Sequence, residues 1–215
     1  MNSSVAIIEI YASIQGESTH AGRPCTFVRL AGCPLRCTWC DSTYTFGKGE
    51  KREIAQIIQQ VLDLGVPLVE VTGGEPLAQK NAEILLHQLC EAGLEVLLET
   101  SGAYAFAQLD PRVKVIADLK CPASGESARN LWAELAKLRV KDELKIVVQD
   151  RADFAWAVQM LEEKLPGIQA TILWSAVAGK LHPADLAAWM LAEKVPGRLQ
   201  IQLHKVLWPG VEKGV

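Results

Sequence analysis

The chain has 215 residues, 49% of them hydrophobic and 22% charged, a balance that excludes a disordered or fibrous protein and, at this length, allows about 70% of the unfolded surface to be buried without disulfide staples. Twenty-two Lys and Arg against 25 Asp and Glu give a net charge of -3, and the lack of a basic tail argues against a nucleic-acid partner. No run approaches the roughly 18 to 20 apolar residues of a membrane span, and Met1 to Ser4 carries no secretory pattern, so the expectation is a cytoplasmic protein with no membrane association.

In chain order, Val5 to Ile14 reads as an extra strand, a candidate hairpin partner for the next strand, Phe27 to Leu30. Ile54, Ile57, Ile58, Val61 and Leu62 then recur at helical spacing, followed by a strand at Leu68 to Thr72 and a helix marked by Ala82, Leu85, Leu86 and Leu89. Strands follow at Glu95 to Glu99 and Val113 to Asp118, a helix at Ala128 to Leu138, and a strand at Glu143 to Val148. A helix at Ala152 to Leu165, a strand at Gln169 to Trp174, a helix at Pro183 to Lys194 and a last strand at Leu199 to Leu203 complete the series. Continuous β-branched and leucine runs alternating with helices predict a mainly parallel α/β sheet with right-handed crossovers, doubly wound or curled into a full or partial barrel. No repeat or linker divides the chain, so one domain over residues 1–215 is expected, with 1–23 as an N-terminal extension and 24–215 as the sheet.

Ligands of such folds collect beyond the carboxyl ends of the strands. Three motifs fall there: Cys33-Pro-Leu-Arg-Cys37-Thr-Trp-Cys40, Gly73-Gly74-Glu75-Pro76 and Thr100-Ser101-Gly102. Three thiolates on one loop suit a soft metal. Structural zinc needs a fourth ligand, for which only His20 and Cys25 lie nearby, whereas three cysteines suit a four-iron cluster with one iron open to an exogenous ligand. Cys25, Cys90 and Cys121 are scattered singly and read as structural, Cys90 lying on a predicted apolar helix face where a free thiol behaves as a small hydrophobe.

C-x3-C-x2-C with Trp39 before the last cysteine, followed by Gly73-Gly74-Glu75-Pro76, resembles the radical S-adenosylmethionine (SAM) superfamily. Ser13-Ile-Gln-Gly-Glu17, Phe27-Val-Arg-Leu-Ala-Gly-Cys33, Cys40-Asp-Ser42, Glu99-Thr-Ser-Gly102, Asp118-Leu-Lys-Cys-Pro122 and Gln202-Leu-His-Lys205 extend the likeness through almost the whole chain to the 7-carboxy-7-deazaguanine synthase family. The resemblance implies a modified, incomplete TIM-like barrel and a carbon-nitrogen lyase that uses one 4Fe-4S cluster, SAM and Mg2+. Its implied substrate is 6-carboxy-5,6,7,8-tetrahydropterin, converted through a SAM-derived radical to 7-carboxy-7-deazaguanine with loss of ammonia, in queuosine-type 7-deazapurine biosynthesis. It also implies an electron donor such as flavodoxin or ferredoxin, and a homodimer.

By that resemblance Cys33, Cys37 and Cys40 hold the cluster. Ser42 holds Mg2+, although Thr43 offers an equivalent oxygen where the family has Cys-Asp-Thr. Ile14, Gln15, Gly16, Glu17, Arg29, Thr72, His204 and Pro209 bind substrate, and Trp39, Gly73, Gly74, Glu75, Asp118, Leu119, Lys120 and Ser175 bind SAM, with Glu75 pairing to an ammonium if it turns inward. An Arg fork for a carboxylate and carboxyl or amide groups for a guanidine-like edge are what such a substrate demands. The family often has Ser-Pro-Lys in place of Asp118-Leu119-Lys120, so only the lysine aligns cleanly. Two rivals share features of this chain: an activase that installs a glycyl radical on a partner enzyme, and a zinc-stabilised binding module without catalysis.

Overall fold

The computed structural model describes residues 3–215. Its nine strands form one sheet: β1 (Ser4–Ile14), β2 (Pro24–Leu30), β3 (Glu50–Glu53), β4 (Leu68–Gly73), β5 (Glu95–Thr100), β6 (Lys114–Leu119), β7 (Glu143–Val148), β8 (Thr171–Ala176) and β9 (Arg198–Gln200). The strand order is β3-β1-β2-β4-β5-β6-β7-β8-β9, antiparallel for β3, β1 and β2 and parallel from β2 onward. The edge strands β3 and β9 are not paired with each other among the described residues, so the sheet is a partial barrel.

Helices α1 (Ile54–Asp63), α2 (Ala82–Glu91), α3 (Trp132–Leu135), α4 (Arg151–Lys164) and α5 (Pro183–Glu193) follow β3, β4, β6, β7 and β8, β5 leads to β6 without a helix, and a short α6 (Leu203–Leu207) follows β9. Their apolar faces cover the outer side of the sheet. Ile57, Val61, Leu85, Leu86, Leu89, Phe154 and Leu186 pack with Val28, Val69, Val71, Leu98, Leu144, Ile146 and Trp174 in one core, each worth about 1.5 to 3 kcal/mol in burial. Because strand side chains alternate faces, the residues between these point inward. The lower inward layer is apolar, formed by Tyr11, Cys25, Phe27, Leu68, Leu97 and Ile116.

Three elements depart from the sequence expectation. The helix expected over Ala128 to Leu138 shrinks to a 3-10 turn at Ser127–Arg129 and the single turn α3. Asn130 is the cause: its side chain accepts from Lys120 N (2.9 Å) and donates to Lys120 O (2.9 Å), and this competing pairing holds Asn130 extended. The last strand stops at Gln200, and Leu203 to His204 start α6 instead, because Leu203 N donates to Gly16 O (2.9 Å) and draws the chain over the N-terminal loop. Strand β3 has the sequence Glu-Lys-Arg-Glu and no apolar alternation; it is an edge strand of the charged kind that resists further pairing.

Candidate active site

The carboxyl ends of the parallel strands open into a cavity of about 860 Å³. Its upper wall is the cysteine loop, held by backbone bonds to three other segments. Gly32 N donates to Thr45 O (2.6 Å), Glu75 N to Gly32 O (2.9 Å) and Thr38 N to Ser124 O (3.1 Å). Arg36 clasps the loop from outside, donating Nη1 to Cys33 O (2.6 Å) while its guanidinium lies 4.2 Å from the Phe46 ring centre. Cys33, Cys37 and Cys40 are half-buried and all line the cavity, whereas Cys25, Cys90 and Cys121 are buried in the core. Burial pushes the Cys33 and Cys37 thiols up, and Lys120 opposes this at both. Among the described residues no three His, Cys, Asp or Glu side chains stand together as a finished metal cage. The donor set nonetheless suits a thiolate-ligated cluster: three sulfurs on one loop, on one cavity, with the Lys120 charge favouring the thiolates of Cys33 and Cys37.

Gly74 makes the close approach of this loop possible. A Cβ there would stand 2.2 Å from Gly32 O and 2.9 Å from Cys33 Cβ, so only glycine admits the contact. Gly73, at φ +136, needs glycine for its backbone as well. On the same rim, Lys120 Nζ bonds Asp118 Oδ2 at 2.7 Å, and Asp118 Oδ1 is buried without a hydrogen-bond partner. Asp118 and Lys120 both line the cavity, so this rim presents an acidic and a basic side chain to a ligand that carries hydroxyl, amino and carboxylate groups, as SAM does.

Three expected SAM contacts are not on the cavity. Glu75 turns away from it and is fully buried. Its carboxylate accepts from Leu77 N (2.8 Å), Thr100 Oγ1 (2.9 Å), Ser101 N (2.7 Å) and Ser101 Oγ, which leaves nothing for an ammonium. Leu119 follows inward-facing Asp118 and so falls on the outer face, in the helix-covered core. Ser175 is buried beside Gln200 in the β8–β9 ladder, its hydroxyl unpartnered and off the cavity lining. The other expected residues do line the cavity: Ile14, Gln15, Gly16, Glu17, Arg29, Trp39, Ser42, Thr43, Thr72, Gly73, Gly74, Asp118, Lys120, His204 and Pro209.

The lower wall is a charged layer above the apolar floor. Lys145 on β7 donates to Glu17 Oε2 (2.9 Å) and to Glu99, and stands 3.8 Å from Asp118 Oδ1. Thr72 Oγ1 donates to Glu99 Oε2 (2.8 Å), and Gln202 Nε2 donates to Glu17 Oε1 (2.9 Å), which ties the C-terminal segment to the N-terminal loop. Burial works against the Glu99 carboxylate, but the Lys145 charge and the bonds from Lys145 and Thr72 outweigh it and hold Glu99 at about 2. Arg29 spends Nε on Glu9 Oε1 (2.8 Å) and Nη2 on Tyr11 Oη (2.8 Å), leaving Nη1 unbonded among the described residues. Gln15 is only 3% exposed and both ends of its amide are engaged: Oε1 accepts from Glu17 N (2.9 Å) and Nε2 donates to Glu70. His204 lies against Gly16, and burial pushes its imidazole down. Trp208 to Glu212 continue across the mouth.

Glu70, Glu99 and Lys145 were not singled out by sequence reasoning. The signal was present: each is a lone charge inside an apolar strand, in Leu68-Val-Glu-Val-Thr72, Val96-Leu-Leu-Glu-Thr100 and Leu144-Lys-Ile-Val147. A charge on a doubly covered strand survives only by facing a partner or a cavity.

A parallel partial barrel with a three-cysteine loop after its first parallel strand and a double-glycine turn after the next defines a radical SAM protein, and the Radical SAM superfamily model matches residues 28–123. The 7-carboxy-7-deazaguanine synthase of Chlorobaculum tepidum is 44% identical over 97% of this chain and 96% of its own length; that of Koribacter versatilis is 40% identical, with 97% and 99% covered. The crystal structure of QueE from Escherichia coli shares the fold, with a TM-score of 0.78 at 23% identity over 94% of this chain and 95% of that one. The chain belongs to the 7-carboxy-7-deazaguanine synthase family.

Proposed function

We propose that this chain is a carbon-nitrogen lyase converting 6-carboxy-5,6,7,8-tetrahydropterin to 7-carboxy-7-deazaguanine with loss of ammonia, a step of queuosine-type 7-deazapurine biosynthesis. One observation carries the reading: the cysteine loop and a layer of paired carboxylates and cations face each other across a single cavity. When bound, the 4Fe-4S cluster and SAM supply hydrogen-abstracting radical chemistry that no side chain here can provide. Cys33, Cys37 and Cys40 hold the cluster, while the backbone at Gly74, together with Asp118 and Lys120, holds SAM.

The remaining work belongs to this chain's polar groups. Arg29 offers its free Nη1 to an anion, and Glu17 and Glu99 offer carboxylate oxygens to the N–H groups of an aminopyrimidine. Lys145 keeps those carboxylates in place and balances their charge before the ligand arrives. Ser42, or Thr43 beside it, both of which line the cavity, supplies a hydroxyl oxygen to a Mg2+ ion, an ion that needs few protein oxygens and keeps several waters. Trp39, Trp208 and Pro209 at the mouth exclude water from the reacting region. A one-electron donor protein such as flavodoxin or ferredoxin and a homodimeric assembly complete the proposal.

The test is anaerobic reconstitution with iron and sulfide, followed by reduction with dithionite in the presence of SAM, Mg2+ and the carboxypterin, with products read by mass spectrometry. The expected result is 7-carboxy-7-deazaguanine together with 5'-deoxyadenosine. Deoxyadenosine without the deazaguanine refutes the substrate, and a protein that takes up only zinc refutes the reaction class.

A further inference from the structure

Glu70 stands beneath the paired charges and is not used by the chemistry described above. It is on β4, flanked in register by Phe27 on β2 and Leu97 on β5, so its side chain rises out of the apolar floor. Two residues further up the strand, about 6.6 Å nearer the mouth, Thr72 lies between Arg29 and Glu99. Glu70 is 4% exposed and lines the cavity. One carboxyl oxygen, Oε2, accepts from Gln15 Nε2. The other, Oε1, has no protein partner and is not among the fully occluded orphan atoms, so it is the part of the residue that meets the cavity.

We propose that Oε1 of Glu70 hydrogen-bonds the carbonyl of the substrate's pyrimidinone ring, which makes Glu70 a specificity-determining residue held in orientation by Gln15. The assignment rests on the carboxypterin reading above. That substrate has an anionic carboxylate at one end and a lactam edge at the other. The free Arg29 Nη1 and the hydroxyls after Cys40 are suited to the first end; the floor is left for the second. The groups facing Glu70 are Glu99 from β5, Lys145 from β7, Glu17 from the N-terminal loop, Arg29 and Cys25 from β2 and Tyr11 from β1. Burial is the largest influence and the Glu99 charge adds to it, so that despite Lys145 the carboxyl is pushed well up, toward its neutral form. A neutral carboxyl whose carbonyl oxygen is taken by Gln15 presents an O–H, a donor, to a ring carbonyl. A glutamine in its place keeps that pattern, with the amide oxygen toward Gln15 and the NH2 toward the ligand.

The experiment is equilibrium binding to the reconstituted protein without reductant, so that nothing turns over, for wild type, Glu70→Gln and Glu70→Leu. Two ligands are compared: 6-carboxytetrahydropterin and its analogue lacking the ring carbonyl oxygen. Wild type and Glu70→Gln should bind the parent within about threefold of each other, and Glu70→Leu about ten- to a hundredfold more weakly. The analogue should bind all three alike, since the contact is already absent. A structural role alone would weaken parent and analogue equally in Glu70→Leu, and that result overturns the assignment, as does Glu70→Gln behaving like Glu70→Leu. If Glu70→Leu fails to fold, wild type against Glu70→Gln decides: wild-type affinity should fall as pH rises and Glu70 ionises, and the glutamine variant should lose that dependence. Failure of wild type to bind the parent refutes the proposed substrate, whereas binding without carbonyl discrimination refutes Glu70 alone.

Discussion

Gly74→Ala is the smallest change that separates the cavity's metal-binding wall from the rest of the fold. The added Cβ would lie 2.2 Å from Gly32 O and 2.5 Å from Gly32 C, where real Cβ atoms do not come within 3.0 Å. Gly74 is not in the left-handed region, so alanine can adopt its backbone conformation and the collision is the whole effect. Both atoms struck are backbone and cannot rotate away; the loop entering Cys33 must retreat by about 0.8 Å, which strains the Glu75 N to Gly32 O bond of 2.9 Å. Overpacking of this kind costs about 1 to 3 kcal/mol. A shift near 1 Å at a reacting site lowers turnover by about a hundredfold. The assay has two arms: thermal unfolding of the unloaded protein, and iron, sulfide and visible absorption after reconstitution. The variant should melt several degrees lower, take up less cluster and bind SAM poorly. A Gly74→Ala protein with wild-type cluster content and wild-type SAM affinity would show that the Gly32 contact does not set the loop's position.

Lys145→Met leaves the half-buried Glu17 and Glu99 without their cation and should cost about 1 to 3 kcal/mol at pH 7, read from urea midpoints. Because Glu99 is held at about 2 against an ordinary 4.5, its share of stability is complete above 4.5 and is lost as pH falls toward 2, so the gap between wild type and Lys145→Met should narrow across that window; a constant gap counts against the pairing. Gly16→Ala would put a Cβ 2.3 Å from His204 Nδ1 and 3.0 Å from His204 N, lifting α6 from the N-terminal loop, and should raise KM for the carboxypterin about tenfold with cluster content unchanged. Ser42→Ala should abolish stimulation by Mg2+ while Thr43→Ala keeps it, measured as turnover against added Mg2+; the reverse pattern moves the ligand to Thr43.

Much of this was legible in the chain because the signals are local. Val69, Val71, Val96 and Leu98 announce strands covered on both sides, and the cysteine spacing lies within eight residues of one loop. Long-range pairing is what stayed hidden. Asn130 interrupts a helix only because it is paired with Lys120, ten residues earlier, and Leu203 leaves the sheet because it meets Gly16, far away in sequence. Glu75 illustrates the same limit at the site. A Gly-Gly-Glu-Pro string places a carboxylate near a ligand, but its direction depends on Thr100 at the end of β5 and on Ser101 just beyond it, which claim both oxygens. Its role in this structure is to lock the ends of β4 and β5 together and so fix where Gly74 meets the cysteine loop.

The charged inner layer also explains how an open barrel tolerates an unfilled centre. In a closed barrel, stacked inward side chains fill the axis. Here one apolar layer closes the bottom, and above it the inward positions carry Glu99, Asp118 and Lys145. Those groups are too polar to collapse onto one another without water or partners, and Lys145 binds its neighbours in a fixed arrangement rather than letting the walls close. The cavity is therefore maintained by the same residues that are proposed to read the ligand. Glu17 shows the consequence most clearly: it is positioned by Gln15 from below, by Lys145 from the side and by Gln202 from the C-terminal segment, so three distant parts of the chain must be in place before one carboxylate can be offered. Site geometry and tertiary structure thus fail together at this point, and variants at Gln15 or Gln202 must be judged by binding and stability side by side.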